Sequence, residues 1–237
     1  MKELSKYALL ISFFTASNFT WSQSASPTVS FYSVDDETDV EMTDGESQTA
    51  QAPLDITCKS NISDADGYNY TCEWRFFKSQ TGEESPVLTR FEENTSYTLT
   101  ESGSYGVKLY VTFTDSEGNE SEYESEPFTI IISESSLTCP DGFSPNGDGI
   151  NDVLKIKYQS IVKLEASIFN RWGKKLYSMN LHNVDDGWDG MQGGKYVKDG
   201  VYFININAVG SDGVEYKIKK AINVLKGFNE TDETSGQ

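Results

Sequence analysis

The sequence predicts an all-β protein with two consecutive β-sandwich domains after a signal peptide. Apolar and polar residues alternate with a period of two in many short runs, which is the pattern of half-buried strands. Val, Ile, Thr, Tyr and Phe recur, and aromatic residues make up 13% of the chain. Clusters of Gly, Asn and Asp separate the runs, and no sustained helical period is evident.

Residues 1–23 have the pattern of a secretory signal peptide. Lys2 and Lys6 supply a positive start, and an apolar core follows at residues 8–14. This core is too short to span a bilayer, which needs about 20 apolar residues. We therefore expect secretion and no transmembrane segment.

The charge divides the rest of the chain into two parts. The chain holds 37 acidic and 19 basic residues, a net charge of -18. Residues 24–137 contain 23 acidic and 5 basic residues, whereas residues 138–237 contain 13 and 12. This asymmetry predicts two domains with different roles. It excludes nucleic acid and anionic membrane surfaces as expected partners, because phosphate binding needs clustered Lys and Arg.

Residues 24–137 are predicted to form the first sandwich. Residues 29–32 form a candidate strand, and the acidic residues 35–51 are predicted to be a loop. From residue 54 onward short alternating runs recur, for example Cys72, Trp74 and Phe76, which predicts that Trp74 packs in the core. Turn signals such as residues 64–67 separate the runs.

The junction between the two parts is rich in Pro and Gly, which interrupt regular structure and favour tight turns. After it, alternation resumes and predicts a second β-rich domain over residues 138–227, followed by a polar tail at residues 228–237. Its candidate strands are residues 153–158, 164–170, 175–177, 201–208 and 214–225.

Three cysteines follow the leader, and a secreted protein can form disulfides. Three single pairings are open. Cys58 and Cys72 lie at inward positions of successive predicted strands, so we expect these two to be bridged. A loop of that length would stabilise the fold by roughly 3 kcal/mol. Cys139 would then be free or would pair between molecules.

The segment around residue 150 has oxygen-bearing side chains at alternating positions. Asn146, Asp148 and Asp152 could ligate Ca²⁺, although the spacing does not match an EF-hand loop. The alternative is a turn in which these side chains accept hydrogen bonds from their own backbone. The sequence leaves both interpretations open, and calcium is the one cofactor that it suggests.

Catalysis has little support in the sequence. The single histidine, His182, lies in a polar segment, and a lone loop histidine is usually solvated. The chain has no GxSxG nucleophile motif and no phosphate-binding loop. We therefore expect that the protein is not an enzyme.

Three motifs of the second part occur in a characteristic order: FSPNGDGIND, IFNRWGKKLY and GWDGMQGGKYVKDGVYFI. Together they resemble the type B C-terminal sorting domain of the type IX secretion system, also called the gliding-motility-associated C-terminal domain. The resemblance implies that Trp172 and Trp188 are structural residues at turns. The residues expected to form the sorting motif are Pro145, Asn146, Gly147, Asp148, Gly149, Asn151, Asp152, Asn170, Arg171, Trp172, Gly173, Trp188, Asp189, Gly190, Gly200 and Tyr202.

The first part resembles a PKD-like or immunoglobulin-like domain through residues 72–76 and 102–112. The two resemblances imply a protein that passes through the periplasm and is exported to the cell surface or the medium. The implied partners are the type IX translocon and an SprF-like outer-membrane protein. Residues 24–137 would be the exported cargo of the sorting domain, here called the passenger domain. This domain would be a binding or adhesion module for a glycan or protein ligand. The alternative is a structural spacer or extracellular matrix component without a specific ligand.

Overall fold

The computed structural model describes residues 23–82 and 85–226, and every regular element in these ranges is a β-strand. The predicted signal peptide, apart from Gln23, and the predicted polar tail lie outside the described residues. Within the described ranges no helix has the length and apolar character of a membrane span. The all-β prediction is confirmed.

The N-terminal domain contains twelve described strands. They are β1 (Ser24–Ala25), β2 (Thr28–Ser33), β3 (Thr38–Thr43), β4 (Ser47–Ala50), β5 (Leu54–Lys59), β6 (Ile62–Ser63), β7 (Asn69–Lys78), β8 (Leu88–Arg90), β9 (Asn94–Leu99), β10 (Gly103–Thr114), β11 (Glu120–Glu124) and β12 (Phe128–Ile132).

Two sheets pack face to face in this domain. One has the order β3-β2-β5-β9. The other has the order β4-β12-β10-β7-β8. In this sheet β12 pairs with the first half of β10, and β11 pairs with the second half. The core between the sheets includes Met42, Trp74, Leu109 and Phe128, all fully buried. The prediction that Trp74 is a core residue is confirmed.

The prediction of a loop over residues 35–51 is wrong, because this segment contains β3 and β4. β3 pairs with β2, and β4 pairs in parallel with β12. Both lie at sheet edges, where most side chains face solvent, whereas Met42 and Ala50 point into the core. The acidic composition of an edge strand therefore hid its pairing from the sequence analysis.

The C-terminal domain contains nine described strands. They are β13 (Ser136–Thr138), β14 (Gly142–Phe143), β15 (Lys157–Gln159), β16 (Ile161–Phe169), β17 (Lys175–Asn180), β18 (Met191–Gln192), β19 (Lys195–Tyr196), β20 (Gly200–Gly210) and β21 (Glu215–Val224).

One five-stranded sheet, ordered β14-β21-β20-β16-β17, forms the main layer of this domain. The opposite layer is smaller and consists of the β13–β15 pair, the β18–β19 hairpin and long turns. The predicted strand at residues 153–158 is only partly present, because pairing as a strand begins at Lys157. Residues 153–156 are held by a single main-chain bridge, between Leu154 and Trp188.

Hydrogen bonds of serine residues connect the two domains. The buried Ser160 Oγ accepts the Ala52 N–H (3.2 Å), and the Ser211 Oγ donates to the Ser133 carbonyl (3.2 Å). The Ser102 N–H donates to the Ser211 carbonyl (3.0 Å). The junction thus lies at the end of the C-terminal domain where β16 begins, and β16 runs away from it.

Candidate functional site

The turn at residues 143–152 is organised by the carboxylate of Asp152. Its Oδ1 accepts the N–H groups of Asn146 (3.0 Å) and Gly147 (2.7 Å), and its Oδ2 accepts the Gly149 N–H (2.7 Å). Gly147 and Gly149 have φ of 81° and 84°, which lets the chain fold around the carboxylate. These N–H donors, Gly147 first and Gly149 next, hold the pKa of Asp152 below its ordinary value.

The other predicted calcium ligands are also engaged in the turn. Asn146 Oδ1 accepts the Asp148 N–H (3.1 Å), and Asp148 Oδ1 accepts the Ile150 N–H (2.7 Å). The Asn151 carbonyl accepts the Ser144 N–H. In the described ranges no group of three His, Cys, Asp or Glu side chains could hold a metal ion. The geometry therefore favours the self-bonded turn, and calcium binding here stays a hypothesis.

Trp188 is fully buried at the centre of the C-terminal core. Its main chain exchanges two hydrogen bonds with Leu154 (2.9 and 3.1 Å), and its Nε1 donates to the Met191 carbonyl (3.0 Å). Gly190 follows closely, at a position where a Cβ would stand 3.0 Å from Pro145 Cγ. The first and third motifs therefore pack directly against each other. The exposed Asp189 accepts the Met191 N–H and closes the turn.

An aromatic row continues from Trp188 to the start of β20. The Trp188 ring centroid lies 5.4 Å from that of Phe143 and 5.8 Å from that of Tyr202. The Tyr202 Oη donates to the Lys198 carbonyl (2.7 Å), which gives the phenol a partner within the fold. Burial raises the pKa of Tyr202 above its ordinary value.

The second motif forms the hairpin turn between β16 and β17. Asn170 Oδ1 accepts the N–H groups of Trp172 (3.0 Å) and Lys174 (2.9 Å), and Gly173 adopts φ of 78°. Trp172 projects from this turn and is 82% exposed. The expectation that Trp172 is a packed structural residue is therefore wrong, because the turn is fixed by Asn170 and not by the indole.

A cleft of about 440 Å³ lies beside this turn, between residues 170–172 and 196–202. We call it the Trp172 cleft. The Arg171 guanidinium carbon lies 5.6 Å from the Trp172 ring centroid, and its Nη2 lies 3.9 Å from where a Gly200 Cβ would stand. Tyr202 lines the cleft and also contacts Trp188. Contacts thus connect all three motifs, from the buried aromatic row to the surface.

The sequence analysis missed several residues in and beside this cleft. Tyr196 is 48% exposed, and Lys198 lines the same wall. The Lys226 Nζ lies 5.7 Å from the Tyr196 ring centroid. A signal was present, because residues 170–175 and 195–198 together hold five basic residues and no acidic one, in a chain of net charge -18.

The three cysteines are thiols in this structure, so the expected Cys58–Cys72 bridge is not present in it. The two residues lie in different sheets, β5 and β7, and both belong to the core between them. Burial raises the pKa of Cys58 to about 12. Cys139 is half-buried in the other domain. His182 is exposed, in the loop after β17.

Residues 137–224 match the family model described as the CHU_C type IX secretion signal domain. This span contains every residue of the expected sorting motif. Residues 137–224 are therefore similar to a type IX secretion signal domain. No curated protein sequence matches the chain.

Several solved structures are similar to the chain. Dimeric latent PorU from Porphyromonas gingivalis is 11% identical over 85% of this chain and 20% of its own, with a TM-score of 0.26. The chain thus spans about a fifth of PorU. The fibronectin(III)-like modules of Clostridium thermocellum CbhA are 13% identical over 82% and 95%, with a TM-score of 0.25. The chicken CNTN1 FN1–FN3 domains are 10% identical over 80% and 73%, with a TM-score of 0.28.

The two motif tryptophans should respond differently to truncation. Trp188→Ala should lower the free energy of unfolding by about 3–5 kcal/mol, because it leaves a cavity in the core. Trp172→Ala should change it by no more than about 0.5 kcal/mol, because the indole is exposed. Urea denaturation followed by circular dichroism measures both. Equal losses in the two variants would contradict this assignment.

Asp152→Asn should lower the melting temperature at neutral pH, because an amide offers one acceptor oxygen in place of two. The native pKa of Asp152 lies below its unfolded value of about 3.9. Its stabilisation is therefore present above that pH and is lost as the pH falls through the native pKa. The difference in melting temperature between the wild type and the variant should disappear in acid, as measured by melting curves across a pH series.

The matched control for this prediction is Asp186→Asn, which removes the same charge from an exposed carboxylate outside the turn. It should leave the melting temperature close to that of the wild type at every pH. If both variants lose stability equally at neutral pH, the effect comes from net charge and not from the turn.

Proposed function

We propose that this protein is exported through the periplasm and across the outer membrane by the type IX machinery, which recognises the folded C-terminal domain. The proposed partners are the translocon and an SprF-like outer-membrane protein. One observation supports recognition of the folded state. Phe143, Trp188 and Tyr202 come from separate segments, yet they form one row of contacts that ends at the exposed Trp172 cleft.

Recognition of a folded surface requires no chemistry from the domain. The motif turns accept their own backbone N–H groups through Asp152 and Asn170, so the turn conformation is fixed before any partner binds. A preformed surface loses less conformational entropy on binding than an unfolded signal would. An unfolded domain should therefore be a poor export signal, even with every motif residue present.

Export should depend on the folded C-terminal domain. In a host with a type IX system, the wild type should appear outside the cell, and a chain ending at Leu137 should remain in the periplasm. Trp188→Ala should be exported much less than the wild type, because a loss of about 3–5 kcal/mol removes most of the stability of a small domain. Cell fractionation with immunodetection measures each fraction. Efficient surface delivery of the truncated chain would refute the proposed export signal.

We further propose that the N-terminal domain is a binding or adhesion module that acts by binding and not by catalysis. A groove of about 360 Å³ on the outer face of β7, β10 and β11 supports this role. Tyr110 lines it together with Arg75, whose guanidinium carbon lies 4.3 Å from the Tyr110 ring centroid. A tyrosine ring beside charged hydrogen-bonding groups suits a polar ligand such as a glycan. A spacer has no need of such a groove.

The binding role can be tested on the secreted protein with an array of neutral and acidic glycans. Tyr110→Ala should weaken binding of any glycan retained by the wild type about tenfold or more, the effect of losing about 1.4 kcal/mol. The control, Tyr32→Ala, removes an exposed tyrosine from the other sheet and should bind like the wild type. Equal binding by Tyr110→Ala and wild type would favour the spacer.

A Cys58–Cys72 bridge is proposed for the secreted form. Both side chains lie in the core between the two sheets, and burial suppresses the reactive thiolate of Cys58 once the core has formed. Oxidation should therefore precede closure of the core. A peptide map of the secreted protein without reductant should recover the two peptides linked. Free thiols at both positions, labelled under denaturing conditions, would exclude the bridge.

A further inference from the structure

We propose that the Trp172 cleft is the surface through which the C-terminal domain binds a partner, and that the partner contributes an acidic peptide segment. This inference rests on the proposed function, because it names the surface and the partner chemistry of the same recognition step. It is carried by three features of the cleft, which are its exposed aromatic rings, its unpaired cations and its position in the domain.

The exposed rings are the first feature. Trp172 is 82% exposed and contributes little to the core, whereas Trp188 of the third motif is fully buried. Tyr196 lines the same cleft and is also exposed. Trp, Tyr and Arg are the residue types most enriched among the strongest contacts of protein interfaces. All three occur here around one concave surface.

The charge of the cleft is the second feature. Arg171 and Lys198 line it, and Lys226 lies over the Tyr196 ring. None of these three side chains forms an ion pair with a carboxylate of the described residues. Asp199 is the one carboxylate among the lining residues, so the cleft keeps a net positive charge in a strongly acidic protein, and it attracts anionic groups.

Two acceptor atoms of the cleft are already engaged. Asn170 Oδ1 accepts two N–H groups of its own turn, and the Asp199 Oδ2 accepts the Lys226 N–H (3.3 Å). The side chains that remain for a ligand are chiefly cations and aromatic rings. Neutral sugars need acceptors as well as donors, whereas carboxylates need only donors. An acidic peptide with an apolar or aromatic side chain offers carboxylates to the cations and an apolar group to the aromatic rings.

The position of the cleft is the third feature. β16 begins next to the interdomain serine contacts and ends at the turn that carries Trp172. Nine residues of strand, about 30 Å, therefore separate the cleft from the passenger junction. The passenger leaves this end of the domain accessible to a partner. An anionic membrane surface fits less well, because it would be repelled by the acidic N-terminal domain.

Export in a type IX-competent host tests the surface. Arg171→Glu and Trp172→Ala should keep the wild-type melting temperature, yet reduce the exported fraction about tenfold, the effect of losing about 1.4 kcal/mol of binding. Arg171→Lys, which keeps the charge, should be affected less than Arg171→Glu. Lys163→Glu makes the same charge change at the other end of β16 and should be exported like the wild type.

The outcomes separate this inference from the proposed function. If the chain ending at Leu137 is retained while folded Arg171→Glu and Trp172→Ala chains are exported normally, the export signal stands and the cleft is not its docking surface. If the truncated chain is exported, the proposed function itself fails.

The acidic character of the partner is tested by titrating the secreted protein with a synthetic peptide that alternates Glu and Phe. Binding of the peptide is measured by the change in Trp172 fluorescence. Binding should weaken with added salt, disappear in Arg171→Glu, and be absent for a peptide that alternates Lys and Phe. The Trp172→Phe variant identifies the fluorescence signal. Binding to phosphatidylglycerol vesicles without binding to the acidic peptide would overturn the assignment to a protein partner.

Discussion

The burial of Trp188 is the interaction on which the C-terminal domain depends. The small layer opposite the main sheet has few paired strands, so the Leu154–Trp188 bridge and the indole hold its long turns in place. The ring contacts Phe143 and Tyr202, and its Nε1 reaches the Met191 carbonyl, so the polar edge of the indole has a partner within the fold. Segments distant in sequence meet at this one side chain.

The surface turns are stabilised differently, by side chains that accept hydrogen bonds from their own backbone. Asp152 gathers three N–H groups and Asn170 gathers two. Such turns keep their shape without large apolar contacts, so an exposed tryptophan can project from one of them. The result is a surface that is both ordered and accessible, which a recognition signal requires.

The arrangement of the domains gives this surface a distinct environment. Most of the excess negative charge lies in residues 24–137, and the serine contacts hold that domain against the end where β16 begins. The basic Trp172 cleft lies at the opposite end. Binding of a partner there would not compete with the passenger, and the acidic passenger would disfavour binding to other anionic surfaces.

The sequence alone determined the all-β class and three long strands of the second domain, β16, β20 and β21, to within a few residues. It also named both alternatives for residues 146–152. Period-two alternation and turn-forming residues encode these features locally. Tertiary structure decided what is non-local, including the edge pairing of β3, which charged side chains concealed, and the placement of Cys58 and Cys72 in facing sheets.

The two motif tryptophans show this limit most clearly. Trp172 and Trp188 both lie beside glycine in short turns, and although basic residues flank the first and acidic residues the second, neither flank encodes burial. Trp188 is buried because Phe143, Leu154 and Tyr202 converge on it in the fold. Trp172 is exposed because no second layer formed by the described residues covers its turn. Burial depends on contacts between residues far apart in sequence, so only the folded chain separates the core residue from the surface residue.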